Sequence, residues 1–182
     1  VETHPLLSGP LTGNQETNGP RFKQVLIASW GVVGVAGILG RALFALTPIA
    51  LEPILAGSLR EGHWALLLGW VGLMAYSEGY RGFHLRFSPR VVHRAHELGR
   101  RPNVLRVLLA APFCIGYFSA SRRVLLTSWG VTLGVLTLVL LVRQLEQPWR
   151  GIVDAGVVVG LALGLLSLFV QFVLSLRMTP IE

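Results

Sequence analysis

The stretch IVDAGVVVGLALGLLSLFVQFVLSL, residues 152–176, holds a single ionisable side chain, Asp154. About 20 apolar residues, rising 1.5 Å each, cross the hydrocarbon core of a bilayer. A run of this length reads as a spanning helix, because in hydrocarbon every backbone N–H and C=O must be paired within the segment. Along it Gly156, Gly160 and Gly164 recur every four residues, and Ser167, Gln171 and Ser175 continue nearly the same stripe. That spacing predicts a groove on one helix face into which another helix fits. In lipid, where apolar burial hardly separates a helix from an acyl chain, close backbone contact and polar stitching drive association.

Three more apolar runs lie upstream. The run 124–142, joined to the last by the turn 147–151, carries Gly130 and Gly134 in the same register with Thr137 nearby. The two grooves suit each other or another subunit. The run 25–46 follows Arg21 and Lys23 and places Gly31, Gly34, Gly37 and Gly40 three residues apart. At that spacing each glycine turns about 60° from the last, which predicts a broad smooth surface rather than one groove. The run 64–80 is the shortest. Between 80 and 124 only 107–118 is apolar, and its length and Pro112 suit a re-entrant or interfacial segment.

Composition excludes an ordinary soluble domain: 52% of the 182 residues are apolar, 14% are charged and mean hydropathy is +0.60, whereas soluble domains carry about a quarter charged residues. The one cysteine, Cys114, excludes an intrachain disulfide and a multi-thiolate metal site. Residues 81–123 hold nine arginines against Glu97 alone, a net +8, and the rest of the chain is −1. Charge placed between spanning runs argues against nucleic acid as a partner. Within it, 88–99 reads as a basic amphipathic helix, with Ser88 as cap, Pro89 in the first turn and Gly99 at the end. Val91, Val92, Ala95 and Leu98 form its apolar side, with Arg90, Arg94 and Arg101 turned away. Arg90, Arg94, Arg100, Arg101, Arg122 and Arg123 are therefore the candidates for contact with anionic lipid headgroups or an acidic partner surface.

The predicted fold is all-α: a polytopic integral membrane helical bundle of four transmembrane helices, plus the interfacial basic helix and the short re-entrant or interfacial segment, with five transmembrane helices as the alternative. Four spans put 12 basic residues on the side of the N-terminus and 3 on the other, and five spans put 11 and 4. Either count turns the N-terminus inward, toward the cytoplasm of a bacterial inner membrane or, alternatively, the stroma of a thylakoid or the interior side of another organelle membrane. Residues 1–23 read as a flexible polar tail rich in Pro and Gly. Residues 24–182 read as one transmembrane domain, with 81–123 its basic surface loop.

Reaction chemistry is sparse. Lys23 is the one lysine and Asp154 the one aspartate, and no G-x-S-x-G is present. These absences remove a phosphate-binding lysine loop, a buried Schiff-base lysine and a nucleophile elbow. His4, His63, His84, His93 and His96 avoid the middle of the strong runs, so a pigment would need a ligand other than a mid-membrane histidine. His93, His96 and Glu97 fall short of a zinc-binding H-E-x-x-H, and no metal is expected. Glu78 is the candidate functional carboxylate, since an ionisable group at a span marks function by default; an ion pair with Arg81 or Arg86 is the simpler account. Arg41 falls near the far interface, where snorkelling or Glu52 would satisfy it.

The segments 75–83 (AYSEGYRGF) and 87–90 (FSPR), extended by 113–123 and 147–151, resemble an uncharacterised family of small multi-pass membrane proteins of bacteria and algae. The resemblance implies a polytopic membrane protein and supplies no activity or catalytic residue. The residues favour a non-enzymatic accessory, assembly or stabilising subunit of a larger membrane protein complex, photosynthetic or respiratory, with bound lipid and no cofactor. Gly31, Gly34, Gly37, Gly40, Gly130, Gly134, Gly156, Gly160 and Gly164 are its candidate packing or docking positions. A small transporter or membrane enzyme using Glu78 and the Arg/His-rich loop is the alternative.

Overall fold

A computed structural model describes residues 21–178, which are helical with no strand among them. Residues 1–20 of the expected tail lie outside the described residues. Helix α1 (Arg21–Leu55) already begins at Arg21, so 21–23 belong to it rather than to the tail. After a turn at Gly57 comes α2 (Glu61–Met74), which runs without interruption into a π-helix (Ala75–Phe87) and then α3 (Ser88–Arg100). Two short helices, α4 (Val104–Leu108) and α5 (Ala110–Ile115), lead to α6 (Arg122–Val142) and α7 (Trp149–Met178).

Three helices among the described residues are long and apolar enough to cross a membrane: α1, α6 and α7, with mean hydropathies of 1.8, 2.2 and 2.6. The run 64–80 is divided between the 14-residue α2 and the π-helix. No proline interrupts the chain from Glu61 to Ser88, so backbone pairing carries straight through the end of that run and joins it to the basic helix. The basic helix is thus the second half of a long rod rather than a separate element.

The rod and α7 lie parallel, with α1 antiparallel to both: the backbone of Gln24 abuts Gly99 at one end, and Pro53 abuts Gly151 at the other. The core forms where these three meet α5. Ala28, Val32 and Val35 of α1 pack with Val91, Ala95 and Leu98 of α3, Phe113 and Cys114 of α5, and Leu168 and Phe172 of α7. The apolar side of α3, read from the sequence as facing lipid, is therefore buried in protein. The segment 107–118 bends at Leu109 and seats Ala111 against Gly34 and Cys114 against Gly31. Helix α5 is capped at Gly116, whose φ of +100° disfavours any residue with a Cβ. Helix α6 stands off this bundle.

Candidate functional site

The stripe on α7 meets the rod, not α6. Gly156 receives Trp70 and Met74, Gly160 receives the Glu78 side chain, and Gly164 receives the ring of Phe83; in return Leu163 fills the space over Gly79. Trp70 Nε1 donates to the Val153 carbonyl at 3.1 Å. The three α7 glycines predicted as docking positions are thus occupied within the chain. The physical reason lies in the π-helix: its wider register brings Met74, Glu78 and Phe83 to the α7 side at steps of four and five residues, where an α-helix would drift away.

The polar half of the stripe closes onto two histidines. His84 Nδ1 lies 2.9 Å from Ser167 Oγ, and Gln171 Nε2 donates to the His84 carbonyl at 2.7 Å. That carbonyl is special. In the i→i−5 pattern, Ser88 N–H donates to the Phe83 carbonyl, so the next donor, for His84, falls on Pro89, which has no N–H. Gln171 supplies the missing donor from a neighbouring helix. One helical stretch further, His96 Nε2 lies 2.9 Å from Ser175 Oγ. Burial, with Arg100 and His93 adding to it, pushes the His96 imidazole below its usual pKa. Along the π-helix the exposed Tyr76 and Tyr80 stack in a row that ends on His84 at the α7 seam, at centroid distances of 6.1 and 5.7 Å.

The six candidate headgroup arginines divide. Arg100, Arg101, Arg122 and Arg123 are exposed and Arg90 is half-buried. Arg94 is buried: its Nε donates to the Phe113 carbonyl at 2.7 Å, and Nη2 donates to Phe118 and Ser119 at 3.0 and 3.3 Å, with the guanidinium 4.2 Å over the Phe113 ring. It gathers the carbonyls where α5 ends, so its reading as a surface group gives way to that of a clamp. Burial lowers its pKa, with Glu97 acting in the opposite direction, but an arginine stays charged in protein.

Glu78 makes no ion pair with Arg81 or Arg86; its carboxylate lies over Gly160 instead. Arg41 is exposed, while Glu52 accepts from Gln147 Nε2 at 2.8 Å. Asp154 is buried beside Arg150 at 3.8 Å. His93 and Glu97 are exposed, and no group of three or more metal-ligating side chains occurs among the described residues.

Helix α6 is the element left over. Its contacts centre on its first half: Ser128 Oγ donates to the Ile115 carbonyl at 2.9 Å, Tyr117 Oη pairs with Thr132 Oγ1 at 2.6 Å, and Trp129 packs on Tyr117. Of its apolar window 6% is buried, against 28% for α7. Nothing lies within 4 Å of a Cβ built at Gly130 or Gly134. On α1 the predicted drift divides the glycines in the same way: Gly31 and Gly34 are packed, Gly37 and Gly40 are open. The π-helix and the Arg94 clamp are signalled in the sequence only by Pro89 and by the i+3/i+4 position of Arg94 beside the buried arc of α3. The chain matches no family model, no curated protein and no solved structure.

Proposed function

We propose that this chain is a non-enzymatic accessory, assembly or stabilising subunit of a larger membrane protein complex, photosynthetic or respiratory, with α1, the α2–π rod, α6 and α7 as four spans. The observation that carries this reading is α6: a 21-residue apolar helix whose Gly130 and Gly134 have no neighbour among the described residues. A spanning helix of another subunit is the occupant, because small residues let backbones approach where lipid tails gain nothing comparable. The basic end of the bundle, with Arg21 and Lys23 opening α1, Arg100 and Arg101 closing α3 and Arg177 closing α7, supports an inward N-terminus in a bacterial inner membrane or a thylakoid. The test is blue-native migration and crosslinking of the full chain. Gly130→Leu with Gly134→Leu should reduce co-migration with a large assembly at least tenfold, and isolation of the wild type as a lone monomer from mild detergent refutes the reading.

A small transporter or membrane enzyme is the second reading, and Glu78 favours it: a carboxylate without an ion pair among the described residues, on a π-helix, against the α7 backbone. Under the first reading Glu78→Gln leaves assembly unchanged. Loss of a measured flux in that variant would favour the second.

A further inference from the structure

Between α3 and α7 runs a groove of about 260 Å³ lined by Pro89, Val92, Gln171, Leu174 and Ser175. Its polar members are already engaged, Gln171 with the His84 carbonyl and Ser175 with His96, so what remains open to a ligand is apolar. Its two walls differ. On the other side His93 and Arg100 of α3 are exposed and follow the face of Pro89 at helical spacing, Arg86 is exposed at the end of the π-helix three residues before Pro89, and Glu97 is the one carboxylate among them. On the α7 side Leu174 lines the groove, Val170 one turn before it is exposed, and Arg177 closes the row. From Pro89 to Arg100 the seam is about 16 Å long at 1.5 Å per residue.

A flat bilayer solvates such a seam poorly. At one level along the bundle, cationic side chains and bare apolar side chains stand next to each other, and raising either out of its preferred medium costs free energy. A ligand that carries a negative head and an apolar tail satisfies both walls at once. We infer that the α3–α7 groove is a binding site for an anionic phospholipid, with one acyl chain laid along Val92 and Leu174 and its phosphate drawn to one place on the cationic edge that Arg86, His93 and Arg100 form beside it. The site is independent of whether α6 docks on another subunit, since no residue of α6 lines it.

The experiment uses the full chain, delipidated in an uncharged detergent, with retention of added phosphatidylglycerol read by native mass spectrometry and by the shift in melting temperature. Phosphatidylglycerol should be retained and should raise the melting temperature, and phosphatidylcholine should do neither. Arg86→Gln with Arg100→Gln should weaken retention at least tenfold, whereas Arg122→Gln with Arg123→Gln, the same change of charge placed on α6, should not. Leu174→Trp, which fills the groove without altering charge, should weaken it as well. Equal loss in both arginine pairs, equal retention of phosphatidylcholine, or the same melting shift from glycerol phosphate alone would each overturn the inference. The first outcome means a diffuse charge effect, the second a neutral lipid surface, and the third an anion site without a tail.

Discussion

Arg94 follows Val91 by three residues and precedes Leu98 by four, so it stands on the border of the buried arc of α3. Its charge suggests solvent, and what decides otherwise is the set of carbonyls at Phe113, Phe118 and Ser119, which come together only when α5 folds back. Hydrogen bonds to a charged group contribute about 1.5–3 kcal/mol each, less what water would have given the carbonyls. Arg94→Met should therefore destabilise the chain by roughly 3 kcal/mol and open the 116–121 turn to limited proteolysis. Arg94→Lys should recover part of that, since an ammonium reaches fewer of the three acceptors. Equal stability of wild type and Arg94→Met in a denaturant titration would remove the clamp. His96 carries a pH prediction of determinate sign. Burial lowers its folded pKa below that of the unfolded chain, so the unfolded state binds the proton more readily and stability falls as pH drops through the ordinary histidine value of about 6.5. His96→Gln should flatten melting temperature between pH 7 and 5. The neighbourhood that buries it, Ser175 and Phe172 of α7, is 76 or more residues away in the chain, which is why the spacing of His93 and His96, short of a metal motif, carries no sign of the helix contact either.

At the scale of the element, Gly156, Gly160 and Gly164 are legible as a notched face in the sequence because four-residue spacing translates directly into one side of an α-helix. The partner of the notch is not legible, because the rod changes register within it. An α-helical continuation past Met74 would turn Phe83 and His84 off the α7 side; the π-helix keeps them there, and its departure from ordinary pairing is visible only through Pro89. The consequence is a testable coupling. Gln171→Leu leaves the His84 carbonyl unpaired in a half-buried seam and should cost about 1–3 kcal/mol. Pro89→Ala returns an N–H to the backbone at the position that the i→i−5 pattern directs toward that same carbonyl. The double variant should then be more stable than the sum of the two single changes predicts, a coupling of the size seen for residues sharing one acceptor. Strict additivity would show that Gln171 and Pro89 do not answer to the same atom.

For the whole molecule, low charge, long apolar runs and the basic segment are enough to read a helical chain with helices long and apolar enough to cross a membrane, because the cost of unpaired backbone in lipid leaves so few alternatives. They are not enough to say which faces meet. A small-residue stripe looks the same whether it is filled from within, as on α7, or open, as on α6, and only the arrangement separates a folding surface from a docking surface. Two sets of leucine substitutions should therefore divide cleanly. At Gly164 a side chain collides with Phe83, whose ring already lies 2.5 Å from where a Cβ would be, so Gly164→Leu should separate α7 from the rod and lower the melting temperature of the isolated chain. At Gly130 and Gly134 the added side chains meet nothing among the described residues, so the isolated protein should melt as the wild type does while, under the proposed function, its incorporation into a larger assembly falls. Measuring both quantities on both variants isolates the claim. If Gly130→Leu with Gly134→Leu lowers the melting temperature as far as Gly164→Leu, then α6 closes against its own bundle and the chain has no open helix to offer. If it changes neither quantity, the exposed flank of α6 is a lipid surface, and what recruits partners is sought at the basic end instead.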